Sequence, residues 1–348
     1  MIRFNSDYLE GAHPRILERL METNLAQTLG YGEDRFCEQA RSTIRRLCDA
    51  PEADVQFLVG GTQANLTVLA AALLPYQGVI SADSGHIAVH ETGAIEATGH
   101  KVIALPCRDG KLEAGQVSEY CRKHFADESH EHMVMPAAVY LSCPTEVGTL
   151  YSREELSQLR AVCDRWNLTL YLDGARLGYG LAAPGNTLDL PFLARTCDAF
   201  TIGGTKQGLL FGEAVVIRSE RLKQNFRYLI KQKGGMLAKG RLLGIQFEEM
   251  LKDGLYMELS RQAIVLAMQL KAAFIDLKVP FLVDSPTNQQ FPILPNVVLP
   301  MLRDKYSYAT IEAVDEEHTC VRFCTSWATR QMDVDRLIAD LHVLLRKQ

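Results

Sequence analysis

Residues 198–206 read DAFTIGGTK, a short apolar run that ends in a glycine turn and one lysine, Lys206. A second run of the same design, LYLDGAR, spans residues 170–176 and contains Asp173 at its end. Continuous apolar runs of this length are typical of buried strands in a parallel sheet, whose carboxyl ends face the ligand crevice. The two segments therefore predict an α/β protein in which Asp173 and Lys206 lie side by side at that crevice.

A carboxylate beside an amine suits pyridoxal phosphate (PLP). The carboxylate can keep the pyridine nitrogen protonated, and the lysine can form a Schiff base with the aldehyde. Each residue alone also has an ordinary explanation, because an Asp before Gly is common in turns and a lysine can simply cap a strand. The PLP interpretation therefore depends on a phosphate site, a ring-stacking group and a substrate anchor elsewhere in the chain.

Composition restricts the class of protein. The 348 residues carry 37 basic and 42 acidic side chains, a net charge of −5 without a basic block, so we expect no nucleic-acid or membrane partner. The nine cysteines are scattered without CxxC pairs, which favours a reducing compartment, and no apolar run reaches the ~18 residues of a membrane helix. We therefore expect a cytoplasmic protein.

Strand-like and helix-like segments alternate through most of the chain. This alternation predicts a mostly parallel central sheet with helices on both faces. The expected strands are 55–59, 79–81, 101–105, 137–142, 168–172, 199–202 and 213–217. After Gly240 the pattern changes to a smaller α+β domain with a helix at 261–277, short strands near 297–299 and 321–325, and a last helix at 333–346.

The expected domain limits follow from this change. Residues 49–240 form the large domain, residues 241–348 form the small domain, and the N-terminal segment 1–48 completes the small domain.

A glycine-rich turn supplies a candidate phosphate site. Residues 60–65 read GGTQAN, follow a predicted strand and open a predicted helix. Free amide groups and the helix dipole attract anions at such a helix start, and glycines let a phosphate approach the backbone closely. The segment fits neither a Walker loop nor GxGxxG, and it could also be a plain strand–helix turn.

Three further side chains fit the remaining roles. His86 follows a predicted strand and could stack on a flat cofactor and carry protons. His90 lies four residues later, but no third ligand is evident and we predict no metal site. Arg176 and Arg322 could each bind a substrate carboxylate through two parallel hydrogen bonds, or could instead be a helix-start salt bridge and a surface strand residue.

Taken in order, these motifs resemble the threonine aldolase / β-eliminating lyase family of fold-type I PLP enzymes. The resemblance runs from residue 4 to residue 244 and weakens after that. It is carried by GGTQAN at 60–65, His86-Ile87 with Glu91, LDGARL at 172–177 and Thr205-Lys206.

The resemblance implies a role for each candidate residue. It makes Lys206 the Schiff-base lysine, Asp173 the partner of the pyridine nitrogen and His86 the stacking group. It also implies that Gly61, Thr62 and Gln63 hold the phosphate. Ser6, Arg176 and Arg322 would surround the substrate carboxylate and the cofactor oxygen, with Arg176 among the cofactor-binding residues.

The resemblance further implies a homodimer or homotetramer with shared active sites. In such an assembly a basic residue from 227–235, Lys231 or Lys233, reaches the neighbouring site.

One segment departs from the family pattern. Many threonine aldolases carry a histidine between the phosphate loop and the aspartate, where this chain reads LSCPTEVGT at 141–149. If that histidine is the base for the β-hydroxyl group, His86 or Glu146 has to replace it here.

The function expected from the resemblance is aldol cleavage of a β-hydroxy amino acid, with threonine or allo-threonine yielding glycine and acetaldehyde. Three alternatives remain open. The chain could be another PLP-dependent β-eliminating lyase, a PLP-binding protein without turnover, or a nucleotide-binding module.

Overall fold

A computed structural model describes residues 1–345 of the chain, so Arg346, the expected end of the last helix, lies outside the described residues. The strands are β1 (Ile2–Arg3), β2 (Asp54–Leu58), β3 (Gln77–Ala82), β4 (Lys101–Leu105), β5 (Met135–Ser142), β6 (Thr169–Asp173), β7 (Ala199–Gly203), β8 (Glu213–Ile217), β9 (Gln289–Gln290), β10 (Ile293–Pro295), β11 (Tyr306–Ser307), β12 (Ala309–Ala313) and β13 (His318–Cys324).

The α-helices are α1 (Pro14–Glu22), α2 (Arg35–Leu47), α3 (Gly61–Ala72), α4 (His86–Val89), α5 (Ala114–Ala126), α6 (Arg153–Trp166), α7 (Leu177–Ala182), α8 (Leu190–Thr196), α9 (Glu220–Lys223), α10 (Phe226–Gln232), α11 (Arg241–Lys252), α12 (Leu255–Asp276), α13 (Leu299–Arg303) and α14 (Gln331–Leu345). Within residues 1–345, no helix is both long enough and apolar enough to cross a bilayer.

The central sheet has seven strands in the order β2-β8-β7-β6-β5-β3-β4. Strand β8 is antiparallel to β2 and β7, and the other neighbours are parallel, which confirms the predicted mostly parallel sheet. Alternate side chains of β8 enter two separate hydrophobic clusters, Ala214 and Val216 on one face and Val215 and Ile217 on the other. Both faces of the sheet are therefore buried, which explains why its strands read as continuous apolar runs.

The carboxyl ends of the parallel strands gather polar residues at one edge. In the pairing of β5 with β6, Ser142 lies opposite Asp173, the last residue of each strand. The glycine turn after β7 then carries Lys206 to the same edge.

A second core lies under the smaller sheet, in which β10, β12 and β9 all pair antiparallel with β13. Its cluster includes Phe274 of α12, Phe323 of β13 and Leu337 of α14. The strand expected near 297–299 is wrong, because Leu299 begins α13 and Pro300 stands in its first turn, where proline is favoured and needs no N–H partner. The strand lies earlier, at Ile293–Pro295.

The N-terminal segment is divided between the two cores. Strand β1 pairs with β11, and Phe4 joins the smaller core. Helices α1 and α2 instead pack on α11, and Ile16 and Ile44 share the large cluster with Phe247. We therefore propose domain limits in which only the first few residues complete the small domain, while α1, α2 and α11 belong to the large one.

Candidate active site

Asp173 ends β6 with both carboxylate oxygens bound. Its Oδ1 accepts a hydrogen bond from the Ala175 amide at 2.9 Å, and its Oδ2 accepts from the Tyr140 hydroxyl at 2.7 Å and from Asn65 Nδ2 at 2.9 Å. The side chain is buried, so these three donors replace water around the negative charge. The arrangement provides a fixed carboxylate on the wall of a cavity.

Lys206 lies in the turn that follows β7 and lines the same cavity. The turn packs closely on the one after β6, because the Gly203 amide donates to the Gly174 carbonyl at 3.0 Å and a Cβ atom on Gly203 would come within 2.5 Å of the Ala175 oxygen. Burial and the positive charge of Arg176 lower the pKa of Lys206. A larger fraction of the amine is therefore neutral and nucleophilic.

The glycine segment after β2 forms another wall of this cavity. Helix α3 begins at Gly61, and Gly60, Gly61 and Thr62 line the cavity. A Cβ atom on either glycine would meet nothing within 4 Å, so open space lies beside the first amide groups of the helix. The side chain of Gln63 turns away and donates to the Lys233 carbonyl at 3.1 Å. This wall has the character of an anion site.

His86 begins α4 and is held at two points. Its Nδ1 lies 2.8 Å from Oε1 of the buried Glu91, and its backbone amide donates to Oε1 of Glu146 at 2.8 Å. Burial alone would lower the pKa of His86, but the hydrogen bond to Glu91 and the negative charge of Asp173 outweigh it and raise the pKa. Among residues 1–345, no group of three or more His, Cys, Asp or Glu side chains is arranged to hold a metal ion, whether around His86 and His90 or elsewhere.

Glu146 lies in the segment that lacks the family histidine. Its Oε1 accepts from the Ser142 hydroxyl at 2.5 Å as well as from the His86 amide, while its Oε2 is buried without a partner in the described part of the chain. Burial raises the pKa of this carboxyl group. Glu146 is therefore poised to exchange a proton within the cavity.

Arg176 is paired inside the protein. Its Nε and Nη2 donate to Asp7 at 2.6 and 3.0 Å, and Asn288 adds a third donor to Asp7 at 2.9 Å. Although burial opposes it, the charge of Arg176 lowers the pKa of Asp7 to about 2. Arg176 lines the cavity, but Asp7 neutralises its charge.

Arg322 has no carboxylate partner among residues 1–345. Its guanidinium donates to Gln289 Oε1 and to the Asn5 carbonyl, both at 3.2 Å, and lines a second cavity. Ser6 follows Asn5 directly in the sequence, but its buried hydroxyl lines neither cavity. The guanidinium of Arg322 thus carries a charge that no carboxylate among residues 1–345 neutralises. The role expected for Ser6 stays a prediction.

The two cavities, of about 290 and 580 Å³, are neighbours that share part of their walls. The smaller one contains the glycine wall and Asp173, and the larger one contains Arg322. Both are lined by Tyr8, His86, Glu146, Arg176 and Lys206. The site can therefore hold a flat anionic molecule in the inner part and a carboxylate-bearing molecule in the outer part.

Lys231 and Lys233 line neither cavity of their own chain. The Lys231 ammonium lies 5.0 Å from the centre of the Tyr31 ring. Their expected contribution to a neighbouring site stays a prediction.

Sequence reasoning missed several residues of the site. Tyr140 and Tyr171 lie opposite each other in β5 and β6, and both carry hydroxyl groups into the network around Asp173. Glu213 lines the inner cavity, and burial and the charge of Asp173 raise its pKa well above the usual range. A charged residue at the start of the apolar run EAVVI was the available signal for Glu213.

Known proteins resemble this chain over nearly its whole length. The model of the family described as β-eliminating lyase matches residues 4–311. A low specificity L-threonine aldolase of Pseudomonas sp. is 28% identical over 348 residues, covering 99% of this chain and 98% of that protein, and one of Pseudomonas aeruginosa is 29% identical with the same coverage.

Solved structures agree with the sequence matches. A threonine aldolase of Leishmania major has a TM-score of 0.96 and 44% identity, covering 99% of this chain and 100% of that one. An aromatic aminotransferase of Pyrococcus horikoshii has a TM-score of 0.70 and 14% identity, covering 99% of this chain and 96% of that one, which shows a shared fold alone. The predicted fold class, fold-type I, is confirmed.

Proposed function

This chain belongs to the β-eliminating lyase / threonine aldolase family, and from that premise we propose that it is a PLP-dependent aldehyde-lyase. Its substrate is threonine or allo-threonine, which it cleaves between Cα and Cβ to glycine and acetaldehyde. The observation that carries the proposal is the meeting of Lys206, Asp173 and the glycine wall in one cavity, with the uncompensated Arg322 at its outer end.

The residues of the inner cavity fit PLP. The start of α3, with open space at Gly60 and Gly61, suits the phosphate, together with the Thr62 hydroxyl. Asp173 would hold a proton on the pyridine nitrogen, and Lys206 would bind the aldehyde. His86 borders both cavities, where its ring could cover the cofactor.

When bound, PLP supplies an electron sink for the bond that breaks at Cα. The protein decides which bond that is. Arg322 offers a planar guanidinium to the substrate carboxylate, and its contacts with Gln289 and Asn5 fix the plane of that group. A carboxylate held there fixes the orientation of the other Cα substituents relative to the inner cavity.

The β-hydroxyl group has to lose its proton as Cα–Cβ breaks. His86 uses Nδ1 for Glu91 and keeps Nε2 for the substrate, and its raised pKa makes the neutral ring a stronger proton acceptor than an ordinary imidazole. Glu146 is the second candidate, because its buried Oε2 has no partner among residues 1–345.

The assembly and compartment are also part of the proposal. Leu25, Leu29 and Tyr228 are 91%, 72% and 78% exposed, which is unusual for large apolar side chains and supports an interface between copies of the chain. All nine cysteines are free thiols, in keeping with the cytoplasm.

The experiment combines covalent trapping with product analysis. Purified protein with PLP should absorb visible light, and borohydride should attach the cofactor to the peptide that contains Lys206. Incubation with threonine and allo-threonine should yield glycine and acetaldehyde in equal amounts. Attachment of the cofactor to another peptide would refute the assignment of Lys206 as the Schiff-base lysine.

The alternative is β-elimination, which the family description itself names. β-Elimination would release pyruvate and ammonia from cysteine- or tryptophan-like amino acids. If these products form and threonine yields no glycine, β-elimination is the reaction of this protein.

A further inference from the structure

Asn65 connects two parts of the site that the sequence treats as separate. Its Nδ2 donates to Oε1 of Glu91 at 2.7 Å and to Oδ2 of Asp173 at 2.9 Å. Glu91 in turn contacts Nδ1 of His86 at 2.8 Å. One amide nitrogen thus joins the carboxylate behind the imidazole to the carboxylate at the end of β6.

The amide has one acceptable orientation. The Tyr171 hydroxyl donates to Asn65 Oδ1 at 2.8 Å, and the side chain is completely buried. Turning the amide by 180° would direct its oxygen at both carboxylates, which is repulsive. Both hydrogens of Nδ2 are therefore committed, one to each carboxylate.

The shared donor Nδ2 of Asn65 affects the charge of both carboxylates. Two carboxylates that approach the same nitrogen within 3 Å lie close together, and neighbouring like charges in a buried site favour binding of a proton by one of them. A donor shared between them stabilises the ionised form of both. Without it, Glu91 would keep one donor, His86, and Asp173 would keep the Tyr140 hydroxyl and the Ala175 amide.

We propose that Asn65 is a positioning residue that keeps Glu91 and Asp173 ionised together, and so holds the His86 ring and the Asp173 carboxylate as one hydrogen-bonded unit. The catalytic role of this unit rests on the proposed function. The ionisation of the two carboxylates can be tested without cofactor.

Other titratable groups also influence the charges of Glu91 and Asp173, so the variants used in a test must leave these groups unchanged. Those facing the pair from the surrounding elements are His86 on α4, Tyr140 on β5, Glu146 after β5, Tyr171 on β6, Lys206 after β7 and Glu213 on β8. Variants at position 65 leave all of them in place, so a difference from the unmodified protein reports the missing amide.

The test is the melting temperature (Tm) of the cofactor-free protein between pH 5 and pH 8. In Asn65→Leu, a side chain of similar size without donors, one carboxylate should hold its proton to higher pH in the folded chain than in the unfolded chain. Stability then falls as pH rises through that window. The deficit in Tm against the unmodified protein should be small at pH 5 and larger by about 5 °C or more at pH 8.

Asn65→Asp provides a second, independent variant. A protonated aspartic acid retains one donor, so this variant should approach the unmodified protein at pH 5 and lose stability steeply toward pH 8, where a third carboxylate would have to ionise. The matched control is Thr67→Val on the same helix, because the buried Thr67 hydroxyl donates to the Gln63 carbonyl and to no other group among residues 1–345. Its deficit should not depend on pH.

A pH-independent deficit in both variants at position 65 would overturn the proposal and leave Asn65 a packing residue. A pH-dependent deficit in a protein that fails to bind PLP would retain the shared-donor role and refute the proposed function instead. If Asn65→Leu does not fold, the pH profile of Asn65→Asp alone decides between a shared donor and packing.

Discussion

His86 and Glu146 are the two side chains that we propose as acceptors of the β-hydroxyl proton. Both line both cavities, and the His86 amide donates to Oε1 of Glu146, so their positions are linked. They differ in what remains free, a ring Nε2 on His86 and a buried, unpartnered Oε2 on Glu146. The pKa of each group is raised, that of His86 by Glu91 and Asp173 against the effect of burial and that of Glu146 by burial, and we propose His86 as the base because its Nε2 is left for the substrate.

Replacing these residues one at a time separates them. His86→Phe should keep an aromatic ring and PLP binding while turnover falls about 10²–10⁴-fold, the usual value of general-base catalysis. Glu146→Gln should cost less than tenfold. Turnover is measured by acetaldehyde release, and PLP binding by visible absorbance. The reverse order of effects would assign the base to Glu146.

The same geometry predicts poor discrimination between threonine and allo-threonine. The segment 141–149 brings no histidine to the β-hydroxyl group, so a second side chain of that type does not fix the hydroxyl in one orientation. The ratio of kcat/KM values for the two diastereomers should therefore lie near unity. A strong preference for one of them would show that Glu146 or another group orients the hydroxyl.

Glu213 makes a pH-dependent contribution to stability. Burial and the charge of Asp173 raise the pKa of Glu213, so the folded chain binds this proton more tightly than the unfolded chain does. Stability then falls as pH rises above about 4, the pKa in the unfolded chain. Without cofactor, Glu213→Gln should match the unmodified protein near pH 4 and exceed it in Tm by several degrees at pH 8. The exposed Glu113→Gln is the control.

At the scale of elements, the start of α3 is the part that we propose as the phosphate site. The helix has 12 residues, and its first turn carries no acidic side chain that would compete with an anion. Gly60 and Gly61 line the cavity there without side chains, which leaves the approach to the backbone open. The site therefore depends on the absence of side-chain atoms as much as on the presence of donors.

Gly61→Ala tests this dependence. Alanine is a better helix former than glycine and its Cβ would meet no protein atom within 4 Å, so the Tm should not fall. The methyl group would occupy space beside the free amides, and the Kd for PLP should rise at least about tenfold, or about 1.4 kcal/mol. Gly115→Ala in the first turn of α5, equally free of contacts, is the matched control. An unchanged Kd would move the phosphate away from Gly61.

At the scale of the molecule, we expect an assembly of two or four chains. Sedimentation should give a mass above that of one chain, and Leu25→Asp with Leu29→Asp should shift it toward the monomer, because both side chains are mostly exposed in the single chain. Val297→Asp, at an exposed apolar position in the small domain, is the control. A monomeric, fully active unmodified protein would contradict both the interface and the sharing of sites.

The fold of the large domain could be predicted from the sequence because the patterns that indicate its strands are local. Most strands of the large sheet contain a short apolar run, and a polar residue that ends such a run emerges at the carboxyl edge, as Asp173 does. The small domain was less accessible. Its strands are short, and the apolar residues around Leu299 fit a strand as well as the helix that Pro300 starts.

The placement of Asp173 and Lys206 at one edge of the sheet was therefore predictable from the sequence itself. Parallel strands made of continuous apolar runs bring their carboxyl ends to the same edge. Only the tertiary structure decided that Asp7 neutralises Arg176 across 169 positions of sequence, that Asn65 joins Glu91 to Asp173, and that Arg322 meets no carboxylate among residues 1–345. These contacts join distant segments, and local periodicity carries no record of which buried charge will meet which donor, because that depends on how the packed elements face one another.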